Sequence, residues 1–214
     1  MIKPVGTLDA WPFTAARVGE WAVWDATGRI NVLNRASDAV LDTLAANGLR
    51  EVALGIESGS ERMLKLIDKR IDPSMTHSVV RRLTERGIGV KGYFILGFPT
   101  ETEAEIDQTV RLVHELWEIA DGQPGSFRAS AFEYRPYPGT PDWERLMKTG
   151  KYTPEQLLNY SAVDLTSSGE EAAMRERDEF NFSVNLQLSE APIDYVRRNL
   201  VALSREQYER KVSA

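Results

Sequence analysis

Two short apolar runs with about thirty residues of helical pattern between them leave the stretch from Glu51 to Glu105 few ways to fold. Glu51–Ile56 is the first run, closed by Gly59, and Val90–Leu96 is the second, closed by Gly97 and Pro99. A connection long enough to hold a helix returns the chain to the end where it started, so the strands are parallel and the unit is βαβ. Side chains alternate along a strand, which puts Val52, Leu54 and Ile56 on one face and Ala53, Gly55 and Glu57 on the other. The second face is nearly bare until it ends in a carboxylate. Ligands of parallel α/β folds sit at the C-terminal ends of strands, where Glu57, Ser58 and Gly97 fall. Open space beneath Glu57 suits a ligand; the competing role for Glu57 is a cap on the following helix.

The flanking chain extends this unit. Glu20–Asp25 is short, aromatic and β-branched, a strand closed by Gly28. Ser37–Ala46 reads as a helix with Val40, Leu41 and Leu44 on one face and Asn47-Gly48 as its stop. Met63, Leu64 and Ile67 form a similar stripe, Asp72-Pro73 starts a second helix, Val79, Val80 and Leu83 face the core, and Gly87 ends it. Thr102 and Glu105 stand at capping-box spacing ahead of the stripe Ile106, Val110, Val113 and Trp117. Asp121–Ser126 is a loop, Phe127–Tyr134 a strand, and Pro136, Pro138 and Gly139 a rigid turn into Trp143–Thr149. Ser161–Glu179 is polar and charge-dense, Phe180–Leu188 alternates like a strand, and Ile193–Lys211 is an amphipathic helix with Tyr195, Leu200, Leu203 and Tyr208 available to pack. Met1–Gly19, broken by Pro4, Gly6 and Pro12, reads as an irregular lead-in.

Composition removes several kinds of chemistry. The 214 residues contain no cysteine, so disulfides, thiol catalysis and thiolate-bound iron–sulfur clusters have no ligands within this chain. Two histidines, His77 and His114, without a second histidine at i+3 or i+4 make a local metal site improbable. A net charge of −6 does not suit a nucleic-acid backbone. The apolar runs are strand-sized, shorter than the roughly twenty residues of a membrane span, and the start of the chain reads as no signal peptide, which makes the cytoplasm the default setting.

Three ordered motifs carry a resemblance. GIESGSERML, then GYFILGFPTETEAEI, then YRPYPGTP at Tyr134–Pro141 resemble the second half of a radical S-adenosylmethionine core, in the branch of cobalamin-dependent and methylthio-transferring enzymes. The likeness runs back through GRINVLNRASDAVLDTLAANGLREV and covers about Trp21 to Thr149. The CxxxCxxC motif that holds three irons of the family's [4Fe–4S] cluster is absent, with the strand before it. The resemblance implies that Met1–Gly19 stands where the helix after the second barrel strand ends, that Arg29 partners a carboxylate near the cofactor, and that Tyr134 and Arg135 lie in the adenine-contacting region. A surface arginine and a plain turn are the competing roles.

The expected fold is α/β, a partial (βα) barrel of about four parallel strands with outer helices and a C-terminal helical appendage, 1–150 forming the barrel part and 151–214 packing on the same domain. The expected function follows from the resemblance: a radical-SAM-like protein that holds no iron–sulfur cluster of its own and binds S-adenosylmethionine or a related small molecule for non-radical chemistry. Two alternatives stand beside it, a non-catalytic partner of a complete radical SAM enzyme and a fragment of a longer one, the second less attractive with Met1 at the start. A barrel that begins at its third strand leaves Trp21–Asp25 as an open edge, so pairing is expected, with a second copy ahead of a complete enzyme.

Overall fold

The computed structural model describes residues 22–162 and 182–213. The readings of Met1–Gly19 and of most of Ser161–Glu179 fall outside them. Four parallel strands form one sheet in sequential order: β1 (Trp24–Gly28), β2 (Leu49–Glu57), β3 (Gly89–Leu96) and β4 (Phe127–Glu133). Helices α1 (Ile30–Arg35) and α2 (Asp38–Ala46) join β1 to β2, α3 (Glu61–Leu66) and α4 (Pro73–Thr84) join β2 to β3, and α5 (Glu103–Ala120) joins β3 to β4. This is the expected partial barrel. Among the described residues no helix is long and apolar enough to cross a membrane.

The helix starts follow local chemistry. Ser37, Ser60 and Asp72 each accept a backbone N–H of the first turn of α2, α3 and α4, and Pro73 occupies the first turn of α4. The cap of α3 is therefore Ser60, not Glu57. Gly87 ends the α4 segment at φ 75°, a left-handed turn that suits a residue without Cβ. One sheet face is apolar: Val52, Leu54 and Ile56 of β2 and Val90, Phe94 and Leu96 of β3 are buried against Val79, Val80 and Leu83 of α4 and Ile106, Val113 and Leu116 of α5. The opposite face carries Asp25 and Thr27, then Glu51, Ala53 and Gly55, then Lys91 and Tyr93, then Arg128 and Ser130, as the parallel register dictates. Strands buried on both sides read as continuous apolar runs, so this polar face marks a lined interior rather than a second packing layer. Glu51 reaches over Gly89 to bind the Arg128 guanidinium through two contacts of 2.8 Å.

Two elements differ from the sequence reading. β1 lies three to four residues beyond the expected Glu20–Asp25, because its place is set by pairing with β2: Trp24 opposes Leu49, its indole N–H donates to the Asn47 carbonyl at 2.8 Å, and Asp25 pairs with Arg50. Of the expected strand Phe180–Leu188, the described residues 182–188 contain one strand, Phe182–Ser183 (β6), paired with β5 (Ser161–Ala162). Asn185 at φ 54° turns the chain out of extended structure, and Leu186 and Leu188 pack into a second cluster. That cluster joins Met63, Phe98, Tyr134, Trp143, Leu146 and Leu157, the last three from α6 (Pro141–Lys148) and α7 (Pro154–Leu158).

The last helix, α8 (Ile193–Ser213), buries Val196, Leu200 and Leu203 in the main core. His114 pairs with Glu206, Trp117 with Gln207 and Asp121 with Arg210, so α8 runs parallel to α5. Arg197 reaches Glu133 at one end of β4, and Gln207 accepts the Ala129 N–H at 2.7 Å near the other. The helix thus lies antiparallel to β4, as α5 lies to β3, and fills the place of the crossover helix for the last strand.

Candidate functional site

The six expected site residues all fall at the C-terminal ends of the four strands: Arg29 after β1, Glu57 and Ser58 at β2, Gly97 after β3, and Tyr134 and Arg135 after β4. They are placed there in different ways. Glu57 has φ 68°, a left-handed backbone that costs a β-carbon-bearing residue on the order of 1 kcal/mol or more. The turn folds its side chain back along the strand, over Gly55. A β-carbon at Gly55 would lie 2.5 Å from Glu57 Oε1 and 2.9 Å from Lys69 Nζ, so the bare position found in the sequence is the room this carboxylate uses. Lys69, from the α3–α4 connection, places its Nζ 2.7 Å from Glu57 Oε1 and 3.4 Å from the Gly55 carbonyl.

Ser58 faces the other way. It is fully buried, its hydroxyl shares a 3.1 Å hydrogen bond with Thr109 of α5, and it accepts the Ser60 N–H. Gly59 allows this, because a β-carbon there would stand 2.4 Å from the Gln108 carbonyl. Tyr134 lies in the second cluster with its ring 5.0 Å from Phe98, and burial together with Asp142 pushes its hydroxyl pKa up. Arg135 stacks over the ring of Tyr137 at 5.7 Å. Arg29 is exposed at the N-cap of α1, where its side chain makes no cap bond. The rim therefore presents Arg29, Glu57 with Lys69, and Arg135, whereas Ser58 and the Tyr134 ring are turned into packing.

Two acids beside Gly97 escaped the sequence reading in part or whole. Gly97, at φ 88°, donates its N–H to Glu101 at 2.6 Å, and Phe98 donates to the same oxygen at 3.1 Å. Burial outweighs these two bonds, which act to lower it, and raises the Glu101 carboxyl to about 7. Glu105, four residues on, is lowered to about 2, chiefly by Arg62. It accepts from both arms of the Arg62 fork at 2.6 Å, from Ser60 at 3.1 Å, and from the Thr102 N–H and hydroxyl at 3.0 and 2.9 Å. The expected structural task of Glu105 is thus met, with Arg62 added. Lys69 carries no local signal, since it reaches Glu57 only across a helix. Glu101 carries one: an acid four residues past a strand-ending glycine can accept the N–H groups that the turn leaves unpaired.

The chemistry of a thiolate-bound [4Fe–4S] cluster does not fit these residues, because the sequence has no cysteine. Among the described residues no group of three or more histidine, aspartate or glutamate side chains is arranged to hold a metal ion.

The family model of the radical SAM superfamily matches residues 27–113, from β1 into α5. Over those residues the chain is similar to part of a radical SAM core. An uncharacterized methyltransferase of Pyrococcus horikoshii is 30% identical over 141 residues, which are 66% of this chain and 28% of that protein. A tRNA-2-methylthio-N(6)-dimethylallyladenosine synthase of Rickettsia prowazekii is 37% identical over 90 residues, 41% of this chain and 18% of the synthase. The chain thus spans less than a third of the length of either relative. Among solved structures, the Elp3 protein of Methanocaldococcus infernus aligns with a TM-score of 0.48 at 15% identity, over 61% of this chain and 29% of that one. The cobalamin-dependent S-adenosylmethionine radical enzyme OxsB aligns with a TM-score of 0.42 at 14% identity, over 91% of this chain and 25% of that one. The radical SAM match covers the strands that supply Glu57, Ser58 and Gly97 and stops short of Tyr134 and Arg135.

Proposed function

We propose that this chain is the nucleoside-shaping and substrate-shaping part of a radical SAM core, that it binds S-adenosylmethionine or a related small molecule at the C-terminal rim of its sheet, and that it ligates no iron–sulfur cluster itself. The observation that carries this is the left-handed Glu57, whose carboxylate lies over Gly55 beside Lys69 at a strand end with a polar interior face. Strained backbone held at the ligand end of a parallel sheet is a feature of working sites. Chemistry at this rim, without a cluster, is non-radical, and the setting is cytoplasmic. Isothermal calorimetry with S-adenosylmethionine and S-adenosylhomocysteine is expected to show weak binding that Glu57→Ala lowers by about 5- to 150-fold, the equivalent of ~1–3 kcal/mol. Absence of heat at millimolar ligand sinks the binding reading.

A second reading, a non-catalytic partner or a piece of a longer enzyme, is favoured by the short span of the relatives that the chain covers. It shares one physical consequence with the first. Among the described residues no strand pairs with the outer side of β1, and Val23 just before it and Trp24 at its start are 68% and 38% exposed. An unpaired edge with exposed apolar side chains recruits another strand. Twofold association through β1 is the expected outcome, read as a dimer mass by light scattering after gel filtration. A mass of 24.1 kDa that does not change with concentration contradicts it.

A further inference from the structure

The loop after β3 closes on a carboxyl group that has one oxygen to spare. Glu101 is fully buried, its Oε2 takes both the Gly97 and Phe98 N–H groups, and its Oε1 has no hydrogen-bond partner. An anionic oxygen sealed from water without a donor is costly, while the neutral acid is tolerated far better. The loop is tightly wound, with Gly97 at φ 88° and Thr100 at φ 67°. Three contacts hold it from outside. Arg62 donates to the Thr100 carbonyl at 2.6 Å, the Ala191 N–H donates to the Glu101 carbonyl at 2.8 Å, and Val196 of α8 lies against Gly97, where a β-carbon would meet it at 3.4 Å.

We infer that Glu101 is a proton-operated latch: with a proton on Oε1 the Gly97–Glu101 loop stays closed on the segment that enters α8, and loss of that proton loosens the loop and its bond to Ala191. The charges around the latch leave burial as the deciding influence. On α5, Glu105 repels a second negative charge. On α3, Arg62 opposes that effect, but its fork is already engaged with Glu105 and the Thr100 carbonyl. On the segment entering α8, the neighbour of Ala191 is Glu190, a further acid rather than a counter-ion. The closed loop holds the carboxyl near 7 and the open loop returns it to its ordinary 4.5, so the closed form binds the extra proton. Closure is therefore fully favoured below about 4.5, weakens as pH rises through the interval, and levels off above about 7.

Hydrogen exchange on the full chain, read by mass spectrometry over the peptide that contains residues 97–101 and divided by the intrinsic chemical rates, tests the latch. Between pH 6 and 8 the opening equilibrium is expected to rise about tenfold in the native protein, with the peptides of α4 unchanged. Glu101→Gln, which keeps an acceptor for the two N–H groups and cannot ionise, is expected to flatten the rise. An opening equilibrium that is the same at both pH values, or a rise that persists in the glutamine variant, overturns the proposal. If the variant does not fold, the native protein still decides: the Gly97 and Phe98 amide resonances follow one titration with a midpoint near 7, or they stay flat and the latch is wrong.

Discussion

Trp117→Ala is expected to remove ~3–5 kcal/mol of folding stability, the range for emptying a large aromatic site in a packed core. Trp117 is 2% exposed and stands where three elements meet. Its ring is part of the main core, its indole N–H donates to Gln207 at 3.1 Å, and the Arg210 guanidinium lies 4.9 Å over its face. The same Gln207 oxygen accepts the Ala129 N–H, so deleting the indole loosens α5, α8 and the outer side of β4 together. Urea titrations followed by circular dichroism measure the loss, and α8 is expected to lose hydrogen-exchange protection before the central strands do. A loss under about 1 kcal/mol is incompatible with this packing.

The second large effect is acid sensitivity through Glu105. Its folded pKa of about 2 lies below the ordinary 4.5, so the stability it contributes is present above 4.5 and is lost as pH falls toward 2. The full shift corresponds to about 3 kcal/mol, and because the Arg62 side chain is half exposed the contribution is nearer ~2 kcal/mol. Glu105→Gln keeps the shape and removes the charge. At pH 7 the variant is expected to unfold at lower urea than the native protein, and near pH 3 the two midpoints are expected to approach each other. A gap of the same size at both pH values argues against the ion pair as its source. Glu101 and Glu105 sit four residues apart and are driven in opposite directions, one by burial without a counter-charge and the other by a guanidinium fork.

Local chemistry made much of this fold legible. The Asp72 cap, the Pro73 start, the Gly87 stop and the alternation of β2 each act within a few residues, and each stands where the residue pattern puts it. Long-range partners account for the differences. β1 is positioned by the strand beside it, and past the short β6 the apolar Leu186 and Leu188 meet the Trp143 cluster instead of continuing a sheet. At the rim, the position of Glu57 and Gly97 at strand ends follows from sequence. The direction of each side chain does not: Ser58 turns to Thr109 because Gly59 lets α5 come close, and Lys69 meets Glu57 only after α3 has reversed the chain.

The placement of α8 has a consequence for the order in which the chain assembles. Earlier helices reach their strands through short local steps, whereas α8 returns to β4 only after the whole interval between Glu133 and Ile193. During synthesis the apolar side of β4 and the indole of Trp117 therefore leave the ribosome well before the helix that covers them. Until Leu200 and Leu203 arrive, the nascent chain is a sheet with its outer layer incomplete at β4, and closing that long loop competes with the association of wrong partners, which grows with concentration, for the exposed face.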